Sequence, residues 1–216
     1  MKLTQFILIL FYIPVFLVSG YALTIFKRLE RELKMLSWWL IITGVFHFVS
    51  FLIWLLHQNN LYVLHVLIPI RFLLLLLVYN RILQTHFPNT MVYIFGGGFI
   101  CYSLLNSIFL EPIHSFNSMA MTVESIFSVI LSLSAYILLM DKRFLQNLRI
   151  SRKSVVWING GVFIYYSSSL ILMHFGAKII QLVNAEWNRY TWIAHGIFMV
   201  IMYYCFWRAL WNRKTT

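Results

Sequence analysis

The chain has 216 residues, of which 61% are hydrophobic and 11% charged, whereas soluble domains run at roughly 45–50% apolar and about 25% charged. No soluble core absorbs that much apolar surface, and a mean hydropathy of +0.80 points to a bilayer. The net charge of +11 would suit nucleic acid, but its distribution along the chain, described below, is one that orients a membrane protein, so no nucleic-acid partner is expected.

A hydrocarbon core about 30 Å thick takes roughly twenty apolar residues of helix rising about 1.5 Å each. Seven runs meet that length: 4–26, 35–56, 61–83, 91–110, 119–140, 155–175 and 191–211. They predict an all-α bundle of seven transmembrane helices forming a single domain over 1–216. The first run exceeds the apolar core of a secretory signal and is closely followed by Lys27, Arg28, Arg31 and Lys34. A helix of the mature protein is therefore expected there. The breaks carry turn and charge signals: KRLEREL (27–33), HQNN (57–60), THFPNT (85–90), LEPIHSFNS (110–118), DKRFLQNLRISRKS (141–154) and GAKIIQLVNAEWNRY (176–190). Pro88 and Pro112 stand in two of them, where a helix must stop.

Charge then sets the expected orientation. Lys27, Arg28, Arg31, Lys34, Arg81, Lys142, Arg143, Arg149, Arg152, Lys153, Arg208, Arg213 and Lys214 fall on one side of the scheme, against Lys2, Lys178 and Arg189 on the other. The basic side is cytoplasmic by the positive-inside rule, so the amino terminus is outside and the carboxyl terminus inside. Trp38, Trp39, Trp157, Trp207 and Trp211 map to cytoplasmic helix ends and Trp54, Trp187 and Trp192 to outer ends, as an aromatic belt requires. Cys101 and Cys205 lie inside apolar runs without a CxxC or Cys/His spacing and are expected to be packing residues.

Polar groups within the runs carry the functional information, because hydrocarbon makes them costly without a partner. Arg71 lies near the midplane of the third run, where arginine costs roughly 2.5–3.5 kcal/mol. Glu124 is the acidic residue well inside a span. The two form a natural ion pair, either a binding-site charge pair or a structural tie between helices. His57, His65, His114, His174 and His195 gather in the outer half with Glu111, Glu124 and Glu186, while His47 lies near the midplane and His86 is cytoplasmic. Such a set would suit a divalent transition metal such as zinc, with His65, Glu124, His174 and His195 as candidates, or a group titrating between about pH 5 and 8. It suits equally well histidines that simply hydrogen-bond across helices. Glu124, Ser128 and Ser132 form an i+4 stripe on the fifth run, and Asn159, Tyr166, Ser167 and His174 another on the sixth. Either would line a cavity or act as polar glue. Gly96, Gly97, Gly98, Gly160 and Gly161 are expected to permit close helix contact.

Some activities have no support. A retinal protein needs a lysine in its last helix, and 191–211 has none. The seven-helix zinc hydrolases of the ceramidase type usually carry HxxxH in the last helix, whereas His195 is followed by Met199. His47, Ser50 and His195 keep only a partial echo of that pattern.

The segments FLEPIHSFNSMAMTVESIFSVILSLSAY (109–136), VVWINGGVFIYYSSSLILMHF (155–175) and TWIAHGIFMVIMYYCFWRALW (191–211) resemble a family of uncharacterised seven-helix inner-membrane proteins of the Bacteroidota, sometimes encountered near sensor histidine kinases. Matching positions are Pro112, Phe116, Asn117, Glu124, Trp157, Tyr165 and His195. The chain departs from the family in the third helix, with Arg71 in place of an acidic residue. The resemblance implies a bacterial inner-membrane location and a signalling context. The expected function is a membrane sensor that binds a small ligand, proton, metal or lipid near His65, Arg71, Glu124, Tyr166, His174 and His195 and acts through a cytoplasmic or membrane partner. A metal-assisted intramembrane lipid hydrolase and a carrier or accessory subunit are the alternatives.

Overall fold

The computed structural model describes the backbone of residues 7, 9–83, 86–182 and 185–212, and their side chains except at 171, 173 and 175–189. Among these residues the long elements are all helices: α1 Tyr12–Ile25, α2 Arg31–Leu55, α3 Tyr62–Leu83, α4 Asn89–Leu105, α5 Ser118–Leu138, α6 Arg152–Leu182 and α7 Ala185–Trp211. A short helical turn at Lys142–Gln146, capped by Asp141 Oδ1 on the Arg143 amide, sits between α5 and α6. Among the described residues, five helices are long and apolar enough to cross a membrane: α2, α3, α4 with its continuation to Leu110, α5, and Tyr190–Trp211 of α7. The expected first span begins on residues outside those described. The expected break at 176–190 is largely helix, since α6 runs to Leu182 and α7 starts at Ala185. That stretch has no proline, and its one glycine, Gly176, costs a helix only about 1 kcal/mol. At 31 residues α6 is about 46 Å long, more than a bilayer core spans. Apolar length marks where lipid ends, not where the helix does.

Helix contacts arrange the bundle as a ring. α1 packs on α2, α2 on α3, α3 on α5, α5 on α6 and α6 on α7, and α7 returns to α1. α4 stands outside the ring against α3, with the Phe99 ring tilted against Phe72, centroids 4.4 Å apart. The outer faces are apolar. On α5, Ile126, Ile130, Leu133 and Ile137 are exposed while Glu124, Ser128 and Ser132 are fully buried. Water would reject that arrangement and hydrocarbon favours it.

Two tryptophan expectations need correction. Trp39 is buried, edge-on to Phe206 at 5.2 Å, and Trp192 is half-buried, edge-on to Phe116 at 5.4 Å on the cavity wall. Trp38, Trp54 and Trp211 are exposed; the side chain of Trp187 lies outside the described residues.

At the end of α2 the chain turns with His57 at φ 58°, the left-handed region. The amides of Gln58 and His57 bond back to the carbonyls of Ile53 and Trp54, a termination that glycine usually serves. A residue with a Cβ costs about 1 kcal/mol in this conformation. His57→Gly is therefore expected to raise stability by about 0.5–1 kcal/mol in a detergent unfolding titration; a loss would mean that the imidazole itself holds the turn.

Candidate functional site

Arg71 and Glu124 meet in the centre of the ring. Arg71 Nε donates to Glu124 Oε1 at 2.7 Å, and Nη2 donates to Oε2, so the guanidinium grips the carboxylate in a two-point fork. Tyr166 on α6 adds a third bond, its hydroxyl donating to Oε1 at 3.0 Å, and its ring centroid lies 6.0 Å from the guanidinium carbon. Glu124 is fully buried and Arg71 nearly so. Three helices thus share one neutralised charge pair, which is how ionised groups persist inside a membrane bundle. Below Glu124 the α5 stripe continues: Ser128 Oγ bonds the Glu124 carbonyl, and Ser132 Oγ bonds the Asn159 carbonyl of α6. Asn159 returns the bond to the Ser132 carbonyl and accepts from Tyr79 of α3 at 2.8 Å.

On α7, His195 lies between Ser169 Oγ at 2.9 Å and the Tyr165 hydroxyl at 3.3 Å. Across the ring, His47 of α2 stands edge-on to Tyr12 of α1 with centroids 6.0 Å apart. These groups border a cavity of about 490 Å³, within the roughly 300–1,000 Å³ of small-molecule sites. Arg71, His47, His195, Tyr12, Tyr165 and Asn60 supply its polar lining; Phe51, Trp54, Phe116 and Trp192, with Leu64, Met121 and Met199, supply most of the rest. Each of the six ring helices contributes at least one side chain. A seam closes it where Phe11, just before α1, lies on Gly196 of α7: a Cβ at Gly196 would fall 2.3 Å from the ring.

His65 belongs elsewhere. Its Nε2 lies 3.1 Å from the Ser115 carbonyl, so Nε2 carries the proton, and Nδ1 faces Ser107 Oγ at 2.8 Å and Asn117 Nδ2 at 3.2 Å. The surrounding network follows from how α4 ends. Its last turn widens to a π turn, Asn106–Leu110, which buries Asn106. Asn106 Nδ2 then bonds both Asn117 Oδ1 and Glu111 Oε2 at 2.9 Å. The Glu111 carboxylate also accepts from Ser118 Oγ and from the Met119 amide at 3.0 Å, which places a negative charge at the start of α5. This network fixes the 111–117 loop, and with it Phe116 on the cavity wall. Glu111→Ala is expected to lose about 2–3 kcal/mol, because three donors lose a charged acceptor, and Glu111→Gln less than half of that. Equal losses on thermal unfolding in micelles would remove charge from the explanation.

Four of the six expected site residues lie together: Arg71, Glu124 and Tyr166 in direct contact, with His195 beside them on the cavity. His65 is turned into the loop network, and His174 is exposed about two turns before the end of α6. The metal candidates His65, Glu124, His174 and His195 do not converge: among the described residues no three His, Cys, Asp or Glu side chains are placed to hold an ion. Tyr12, His47, Asn60 and Trp192 line the cavity without having been expected there. His47 had one readable signal, its depth near the midplane. Tyr12 and Asn60 had none, since aromatic and amide residues near helix ends are ordinary. Comparisons with protein-family models, with curated proteins and with solved structures find no match.

Proposed function

We propose that this chain is a seven-span protein of a bacterial inner membrane, amino terminus outside and carboxyl terminus cytoplasmic, that binds a small amphiphilic molecule in its outer half without transforming it. The observation that carries the reading is the cavity: about 490 Å³, walled mainly by apolar and aromatic side chains, with Arg71, His47, His195 and Tyr165 as a few directed polar groups. Its border is the ring itself, so an occupant that pressed on the Phe11–Gly196 seam would move α1 against α7. A membrane or cytoplasmic partner would read that movement at the basic loops around 27–34 and 141–154. The charge asymmetry supports the orientation, and the resemblance to the Bacteroidota family supports the signalling context. Nothing in the geometry favours the metal-assisted hydrolase reading, because the potential ligands stand apart.

The test is native mass spectrometry of the full chain released from lipid nanodiscs. The wild type is expected to retain a bound small molecule, and Met199→Trp, which puts a larger ring into the cavity, to lose it while remaining folded. Identical ligand-free spectra for both would overturn the binding reading. A reporter after Thr216 is expected on the cytoplasmic side, and an external signal would overturn the orientation.

A further inference from the structure

Several N–H donors on the cavity wall have no acceptor among the described residues. Arg71 commits Nε and Nη2 to Glu124, which leaves Nη1, on the other edge of the guanidinium plane, uncommitted to the carboxylate. Arginine and the two lining indoles, Trp54 and Trp192, are donor-only groups, and no hydrogen bond joins either indole N–H to the described residues. His47 likewise has no hydrogen-bond partner among the described residues and brings one further N–H together with one acceptor nitrogen. On the other side of the balance stand the Tyr12 and Tyr165 hydroxyls and Asn60, which spends its amide nitrogen on Ser50, at 2.8 Å from Oγ, and keeps only its oxygen free. His195 is already held on both ring nitrogens.

Charge and shape narrow the occupant further. The Arg71–Glu124 pair is neutral overall, so an anionic head group finds no unbalanced cation. A cationic head group would meet the arginine. What fits is a neutral head group with acceptor oxygens. Seven aromatic rings, Phe11, Tyr12, Phe51, Trp54, Phe116, Tyr165 and Trp192, face the space, and rings reward a flat conjugated partner by offset or edge-on stacking more than a flexible acyl chain. We infer that the cavity takes a quinone-type ring, flat and neutral, with carbonyl oxygens directed at Arg71 and His47 and its hydrocarbon tail toward lipid. This inference rests on the binding reading above and names its ligand class.

The test uses the full chain in phosphatidylcholine nanodiscs titrated with a decyl-tailed benzoquinone, against decylbenzene, decanoic acid and decylamine as probes of the same tail length. Binding is read by the rise in unfolding temperature and by retention of the probe on the purified particle. The quinone is expected to bind saturably at one per chain, at least tenfold tighter than the other three. His47→Leu, close in volume but without the N–H, is expected to weaken it about tenfold, and Met199→Trp to abolish it. Trp192→Phe keeps a ring and removes one donor, so a smaller loss there serves should His47→Leu fail to fold. If decanoic acid or decylbenzene binds instead and Met199→Trp removes it, the quinone assignment falls and the binding reading stands. If quinone retention is the same in Met199→Trp as in the wild type, it reflects partition into lipid and the assignment falls. If no probe binds and the wild type also releases no native ligand, both readings fall together.

Discussion

Replacing Arg71 with methionine is expected to destabilise the protein by about 3–5 kcal/mol, the cost of leaving one member of a buried pair uncompensated. Glu124 would keep only the Tyr166 hydroxyl on Oε1, and Oε2 would lose its donor altogether. The double change Arg71→Met with Glu124→Gln removes the stranded charge and keeps an oxygen for Tyr166. It is expected to recover at least half of the loss. Interhelical hydrogen bonds between neutral groups in membranes average only about 0.6 kcal/mol, because an unfolded helix in lipid finds substitutes. A fully buried carboxylate finds none so readily, and this puts the pair above that average. Reversible unfolding in mixed micelles, run as a four-member cycle, measures the coupling. Additive single and double effects would mean that the contact is energetically idle. High salt is expected to leave the coupling intact, since screening acts on solvent-exposed charges and these are buried.

What could be read in advance was the inward turn of the costliest polar groups; what could not was the rotation of the rest. A helix in water records its orientation as an apolar face and a polar one. Here lipid is as apolar as the core, so α2 or α3 presents leucine and valine on every side, and only residues costly to leave in lipid reveal the inward face. Glu124, Ser128 and Ser132 did so, and all three are buried against α3 and α6 as their i+4 spacing implies. Arg71 followed for the same reason. Histidine was the failing case. Near a helix end it can reach loops, head groups or the interior at little cost, so equal depth did not make His65, His174 and His195 converge. His65 was claimed by a network whose key member, Asn106, depends on a π turn that no simple periodicity announces. The belt rule failed in a parallel way at Trp39, where the partner rings Tyr203 and Phe206 come from a helix distant in sequence.

Gly160 and Gly161 are neighbours on α6, yet their replacement by alanine is expected to act in opposite directions. A Cβ on Gly161 would lie 2.8 Å from the Cβ of Cys205 and 3.3 Å from the Met202 carbonyl on α7. The first contact is at the root of a side chain and the second is backbone, so neither yields by a rotamer change, and the helices must part. α6 and α7 share the most extensive helix packing in the bundle. Overpacking of this kind costs about 1–3 kcal/mol, more than the roughly 1 kcal/mol of helix propensity that alanine returns. Gly161→Ala is therefore expected to destabilise by about 1–2 kcal/mol, and Gly161→Leu by about 3 kcal/mol or more. At Gly160 the nearest atom is the Tyr136 hydroxyl at 3.5 Å, an ordinary contact, so the propensity gain survives and Gly160→Ala should stabilise by up to about 1 kcal/mol. Gly97 and Gly98 on α4 meet nothing within 4 Å and are expected to behave like Gly160, although a run of small residues there suggested a contact face. Micellar unfolding of the four alanine variants decides the matter. A similar loss at Gly160 and Gly161 would show that backbone flexibility in α6, rather than the approach of α7, is what these glycines supply.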